Sequence, residues 1–212
     1  MSATATVNNP FFARVWTYLS AHETEWLHDR RRENLAGLTG RVLEVGAGTG
    51  TNFAFYPATV TQVVAVEPEP RLREVAERAA AAAPVPVTVR AGTAEDLPAG
   101  DPFDAVVCSL MLCSVADPDA VLRRLADQVR PGGQLRYFEH VASPGPRGGL
   151  QRAVDATFWP RLFGNCHTHR DTEASIVAAG FVAADSRRGH QFPRWAPVPV
   201  SEFVLGRAVK PA

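Results

Sequence analysis

Three cysteines, no surplus of either charge and no long apolar run narrow the possibilities before any motif is read. Cys108, Cys113 and Cys166 are too few and too unevenly spaced for a disulfide framework. A reducing cytoplasm is therefore the expected compartment. The 22 basic and 22 acidic residues cancel, so no global field favours nucleic acid or an anionic membrane. The one basic run, Arg30-Arg31-Arg32, lies between Asp29 and Glu33 and reads as a solvated helix face. No apolar stretch approaches the ~20 residues that a membrane span needs. The opening residues MSATATVNNPFF lack the basic-then-apolar pattern of a signal peptide. Internal repeats and low-complexity linkers are absent. A chain of 212 residues, 46% apolar and 21% charged, suits one globular domain.

What is present is an alternation of apolar strands and helices, the pattern of an α/β fold around a parallel sheet. VLEV (42–45) and TQVVAVE (61–67) read as strands buried on both faces. RLREVAERAAAAA follows, with Leu72, Val75, Ala76, Ala79 and Ala80 on one helical stripe. VPVTVRAG (85–92) and FDAVVCSLML (103–112) are the third and fourth strands. Asp117 and Pro118 are the N-cap and first turn of the next helix. Its stripe is Leu122, Leu125, Ala126 and Val129, and RPGG ends it ahead of a fifth strand, 134–141. TEASIVAAGF is a helix closed by Gly180. VAADSRRG and VSEFVLGRAV complete seven strands as an antiparallel edge. Residues 1–38 read as one or two helices ahead of the sheet, with Phe11, Phe12, Val15, Trp16 and Leu19 on one face.

The first strand runs into Glu44-Val45-Gly46-Ala47-Gly48-Thr49-Gly50, an E-x-G-x-G-x-G loop. Thr51 stands where the dinucleotide fingerprint needs glycine, and no Gly-Lys-Ser/Thr follows as in a P-loop. The glycines let a ligand reach the main chain itself. Glu67 ends the second strand 17 residues after Gly50, the spacing of a ribose-binding acid. A carboxylate there accepts from two ribose hydroxyls and repels a 2′-phosphate. The ligand expected is a ribonucleoside with no phosphate requirement, and S-adenosylmethionine fits.

VLEVGAGTG, VVAVEP, AGTAEDLP, FDAVVCSLMLCSV and RPGGQLRYFEHV occur in the order seen in class I S-adenosylmethionine-dependent methyltransferases. The chain resembles that family over about 40–141. NFAFYP, VVCSLMLCSV, the EHVA that follows RPGG, and FWPRLFGNCHTHRDT are similar to the small thiol S-methyltransferases of the methyltransferase-like seven group. That resemblance runs to the C-terminus. Animal members carry an N-terminal hydrophobic anchor without a counterpart here, so membrane residence is not expected to carry over.

The resemblance implies a Rossmann-like class I fold, mostly parallel, with residues 1–38 as a lid and 39–212 as the cofactor domain. It implies backbone contacts to the cofactor from Gly46, Ala47 and Gly48, and a contact from Asn52 or Tyr18 to the methionine carboxylate. Glu67 would hold the ribose, Pro68 would sit beside the adenine, and Thr93, Ala94 and Glu95 would edge it. Many relatives have aspartate at the position of Thr93. Cys108, Ser109 and Leu110 leave the fourth strand where the cofactor crosses. Glu44 suits direct contact and loop support equally. An insertion over 143–172 would wall the acceptor pocket.

Within that frame His140 is the first candidate base, with Asp155, His167 and His169 in the insertion the others. Cys113 reads as a small buried residue. Cys166, His167, His169 and His190 lack paired metal-ligand spacing, so no metal is expected. The expected acceptor is a small thiol. Oxygen or nitrogen of a small metabolite or lipid headgroup is the alternative, and a non-catalytic nucleoside-binding protein the third.

Overall fold

A computed structural model describes residues 7–97 and 100–212. Residues 1–6 of the N-terminal segment, and Pro98 at the end of the AGTAEDLP motif, lie outside the described residues. The elements are α1 (Pro10–Ala21), α2 (Glu25–Leu35), β1 (Gly40–Val45), β2 (Val60–Val66), α3 (Pro70–Ala81), β3 (Val87–Arg90), β4 (Phe103–Ser109), α4 (Pro118–Gln128), β5 (Val129–His140), α5 (Gly145–Asp155), α6 (Trp159–Leu162), α7 (Thr172–Ala178), β6 (Val182–His190) and β7 (Glu202–Val209).

Local chemistry starts these helices. Asn9, Glu69, Asp117 and Asp171 each accept from an N–H of the turn they precede, and Pro10, Pro70 and Pro118 occupy first-turn positions. The seven strands form one sheet in the order β3-β2-β1-β4-β5-β7-β6. β1 to β5 pair in parallel, and β7 runs antiparallel to both β5 and β6. Alternate residues of β1 feed two cores. Leu43 and Val45 pack with Leu122 and Leu125 of α4 and Ile176 of α7. Val42 packs on the other face with Leu35, Phe53 and Ala76.

Most strand ends move by one or two residues from the sequence expectation, and two boundaries move further. β5 begins at Val129 rather than 134, pairing Val129 with Phe103 before a register shift. Arg-Pro-Gly-Gly is accommodated inside the strand at that irregularity, where Pro131 needs no ladder N–H. β4 stops at Ser109 because Leu110 takes a left-handed φ of 57°. That turn aims the N–H groups of Met111, Leu112 and Cys113 at the Glu139 carboxylate, at 3.0, 3.0 and 3.4 Å.

The order reverses at β1. The chain moves outward through β2 and β3, then returns to the other side of β1 through β4 and β5. A crevice opens at such a switch point beyond the strand carboxyl ends. α1 and α2 cover it. Trp26 of α2 packs against Phe203, centroids 5.6 Å apart, while Trp16 of α1 lies over the glycine loop. Among the described residues, no helix is long and apolar enough to cross a membrane.

Candidate active site

One cavity of about 910 Å³ fills the crevice, at the upper end of the ~300–1,000 Å³ range of ligand sites. It runs from Glu67 and Thr93–Glu95, past Gly46–Gly48, to the insertion residues Trp159–Cys166.

The glycine loop is a tight cradle. Gly46 and Gly48 have φ of 68° and 58°, the left-handed region that glycine enters at little cost. A Cβ on Gly46 would come within 2.7 Å of Met111 Cβ, and one on Gly48 within 2.8 Å of Trp16 Nε1. Side chains are excluded on both counts, and the main chain faces the cavity. The Gly48 N–H donates to Glu67 Oε2 at 2.8 Å, and the Glu69 N–H donates to Glu67 Oε1 at 2.9 Å. Glu67 is buried, and burial pushes its carboxyl up to about 7 despite these two N–H groups. Its remaining lone pairs meet the cavity, where ligand hydroxyl donors would complete its shell. Pro68, Thr93, Ala94 and Glu95 line the same end.

At the opposite wall a polar chain ties the covering helices to the sheet. Arg31 of α2 donates to Glu23 through Nε at 2.8 Å and Nη2 at 2.5 Å, and through Nη1 to Asn52 Oδ1 at 2.8 Å. Asn52 Nδ2 donates to Glu44 Oε1 at 3.0 Å and to Ser109 Oγ at 3.1 Å. The Tyr56 hydroxyl donates to Glu44 Oε2 at 2.6 Å. Burial raises Glu44 to about 7, opposed by Tyr56, Asn52 and the Arg31 charge. Both Glu44 oxygens are occupied, so Glu44 is a loop organiser that borders the cavity. Arg31 is 4% exposed, which corrects the reading of Arg30-Arg31-Arg32 as a solvated face. It lines the cavity beside Asn52. Sequence reading missed it, and Glu23 with it. The signal the sequence offered is the i, i+4 spacing of Arg31 with Leu35, which puts Arg31 on the apolar side of the helix.

Several expected contacts fall elsewhere. Tyr18 is 64% exposed and packs against His22, ring centroids 4.3 Å apart, outside the cavity. It sits off the α1 face that carries Phe12, Val15, Trp16 and Leu19 inward. Phe11 also points out, 57% exposed. Cys108 is fully buried inside the sheet and lines no part of the cavity, although Ser109 and Leu110 do. Asp155 holds the loop that follows the insertion helices, accepting from Thr168 N and Oγ1 at 2.8 and 3.0 Å and from His169 N at 2.9 Å. Three bonds leave it no reach into the cavity.

His140 does line the cavity, at the end of β5, with its ring against Phe203 at 4.6 Å between centroids. Beside it stand Cys113 and Cys166, and the Cys166 Sγ lies 3.9 Å from His140 Nδ1. Contact with Cys166, then burial, drives the Cys113 thiol well above its usual range. Glu139, fully buried, is raised by desolvation against the three N–H groups it accepts. The expected histidine neighbours of Cys166 are dispersed. His169 meets Arg152 at 3.0 Å and His190 meets Arg147 at 3.4 Å.

A main-chain glycine cradle and a buried acid at the next strand's end, at the switch point of this sheet order, define the class I fold of S-adenosylmethionine-dependent methyltransferases. Residues 43–137 match a methyltransferase domain family. Over 214 residues the chain is 33% identical to mouse thiol S-methyltransferase TMT1B, covering 94% of this chain and 86% of the relative. It is 40% identical over 133 residues to a ubiquinone biosynthesis O-methyltransferase of Xanthomonas euvesicatoria, covering 62% of this chain and 54% of that one. The fold overlays on N-methyltransferase NodS from Bradyrhizobium japonicum, solved with S-adenosylhomocysteine, at a TM-score of 0.69 and 14% identity. The overlay covers 96% of this chain and all of that one. The chain belongs to the class I S-adenosylmethionine-dependent methyltransferase family that includes the thiol S-methyltransferases.

Proposed function

We propose that this enzyme methylates the sulfur of small, apolar thiols. The observation that carries the reading is the chemistry of the insertion end of the cavity. Phe12, Trp159, Phe163, Phe192 and Phe203 wall it, and the one carboxylate expected there, Asp155, is committed to backbone N–H groups. Of the other acids along the cavity, Glu23 is engaged with Arg31, Glu44 with Asn52 and Tyr56, and Glu69 with the start of α3, while Glu67 and Glu95 stand at the opposite end with Thr93 and Ala94. An insertion end with an imidazole and, among the described residues, no free carboxylate suits an acceptor that ionises readily. A thiol, with a pKa near ~8.5, is a few per cent thiolate at neutral pH.

S-adenosylmethionine supplies a methyl group on a sulfonium, open to in-line displacement. Glu67 accepts from the ribose hydroxyls, the peptide groups of Gly46–Gly48 flank the amino-acid end, and Arg31, held by Glu23, faces the carboxylate. Asn52 fixes Arg31 rather than serving as the main ligand. Pro68 and Thr93–Glu95 edge the adenine. α1 and α2 act as a lid, with Trp16 and Phe12 excluding water from the transfer. Orientation in such a closed site is worth roughly 7–11 kcal/mol. The acceptor sulfur lies towards His140.

The likeness to a thiol S-methyltransferase along nearly the whole chain supports this reading. The O-methyltransferase relative and the accessible imidazole of His140 support a second one, methylation of a hydroxyl. Mass spectrometry of products from labelled cofactor and a panel of thiols, phenols and amines decides between them. Methylated phenols or amines with every thiol unreacted would sink the thiol reading.

A further inference from the structure

Cys113, His140 and Cys166 all line the cavity, and their ligand atoms lie within 4.8 Å of one another. They arrive from three segments, each fastened separately. Cys113 sits on the turn that Glu139 gathers through three N–H groups. His140 is the next residue after Glu139, at the end of β5. Cys166 follows a turn through Gly164 and Asn165, both left-handed at φ of 60° and 64°. That turn is tied to the Cys113 segment twice: the His167 N–H donates to Cys113 O at 2.7 Å, and Asn165 Nδ2 donates to Ser114 O at 2.8 Å. The three donors are therefore held together by hydrogen bonds, from the Glu139 and Asn165 side chains and the His167 N–H, that do not depend on the thiols themselves.

We propose that these three residues form a zinc site whose fourth position opens on the cavity and takes the acceptor thiol. Two sulfurs and one imidazole are a donor set that zinc favours, and three protein ligands with one open position is the catalytic arrangement. Tetrahedral zinc, with Zn–S of about 2.3 Å and Zn–N of about 2.0 Å, sets ligand atoms roughly 3.5–3.8 Å apart. The 3.9 Å between Cys166 Sγ and His140 Nδ1 is close to that already. Two thiolates offset the charge of the ion, which suits an aromatic-walled site.

The zinc site stands on these residues alone; its use for thiols rests on the function proposed above. Cys113 and Cys166 each release a proton as the ion binds. The acceptor thiol releases its proton to water as its sulfur takes the fourth position. That sulfur then forms the bond to the methyl carbon while the bond from methyl to sulfonium breaks, leaving the electron pair on the cofactor sulfur. The thioether product is neutral and a weak ligand, so it departs. His140 then acts as a ligand, and the ion rather than a base ionises the thiol.

The test uses the untagged full chain under reductant, stripped with a chelator and titrated with zinc. A single zinc per chain and about two protons released are expected. Cobalt in place of zinc should give a sulfur-to-metal charge-transfer band, shifted by an alkanethiol but not by the matching alcohol. Cys113→Ser and Cys166→Ser should each weaken zinc by more than the ~10–100-fold of a supporting-residue loss. S-adenosylhomocysteine binding serves as the control for folding. No stoichiometric zinc at micromolar concentration, or equal affinity in both folded variants, overturns the site. Thiol methylation that survives complete zinc removal overturns its catalytic use and keeps the thiol reading. Zinc bound with no thiol methylated does the reverse.

Discussion

Arg31 Nη1 meets Asn52 Oδ1 at 2.8 Å, joining the second helix of the N-terminal pair to the residue that braces Glu44 after the glycine loop. The covering helices and the cofactor cradle are thus one hydrogen-bonded unit. Arg31 is held from behind by a two-point pair with Glu23, both side chains 4% exposed.

Arg31→Met is expected to weaken S-adenosylhomocysteine binding by tenfold or more, about 1.4 kcal/mol at least. It should also destabilise the fold by roughly 3–5 kcal/mol, because the buried Glu23 side chain loses its two-point partner and keeps only His28 Nε2 at 3.9 Å. The pair Glu23→Gln with Arg31→Met separates the two effects. Melting temperature should recover in the double variant while calorimetric affinity stays low. Recovery of both would assign Arg31 to the fold alone.

Glu67 and Glu44 bring a pH dependence of known sign. Each has a folded-state value of about 7 against an ordinary 4.5. The native state therefore binds the proton more tightly. These groups favour the fold fully below about 4.5, and that contribution is lost as pH rises to about 7, at most roughly 3 kcal/mol each. Ligand hydroxyls need the Glu67 carboxylate ionised. Cofactor affinity should rise with pH below about 7, by up to about tenfold per unit, and level off above. Glu67→Gln should bind weakly at every pH, without that slope. A slope that persists in this variant would move the linkage to Glu44.

Gly48→Ala tests the cradle. Its Cβ would meet Trp16 Nε1 at 2.8 Å at a φ of 58°. The backbone term is about 1 kcal/mol or more. The clash falls on the Trp16 indole, so that ring must shift from its place over the loop. Cofactor affinity should drop by more than tenfold, and fluorescence of Trp16 should become more accessible to quenchers. Unchanged affinity would mean that the ligand does not approach the main chain here.

Features encoded over a few residues were legible in the sequence. The glycine loop, Glu67, the helix start at Asp117–Pro118 and the alternation of strands and helices each depend on neighbours along the chain, and all appear in the expected order, with the ends of β4 and β5 moved. Arg31 was hidden because its burial depends on Asn52, 21 residues away. Cys113 looked like an ordinary small core residue, since its partner Cys166 arrives only when the insertion folds back. His167 and His169 drew notice by lying next to Cys166, yet the turn at Gly164–Asn165 brings in Cys113 and His140 instead. Asp155 has a catalytic residue type at a plausible place, but its geometry shows a carboxylate filled by backbone donors.

Asp155 and His140 therefore predict opposite signatures. Asp155→Asn keeps one acceptor oxygen and trades the other for a donor facing the N–H groups of Thr168 and His169. It should lower stability by roughly 1–3 kcal/mol, with the pH profile of thiol methylation unchanged in shape. His140→Gln should fold normally, since the ring borders the cavity, but slow methylation at neutral pH by about a hundredfold. The deficit should shrink towards pH 9, where a free thiol ionises unaided. A zinc-bound thiolate and a base-assisted thiol share this rescue, because in both the protein's task is to provide the sulfur anion. A hydroxyl acceptor, far from ionised at pH 9, would show no such recovery. If His140→Gln is equally impaired at pH 7 and pH 9 on a thiol, ionisation of the acceptor is not what His140 supplies.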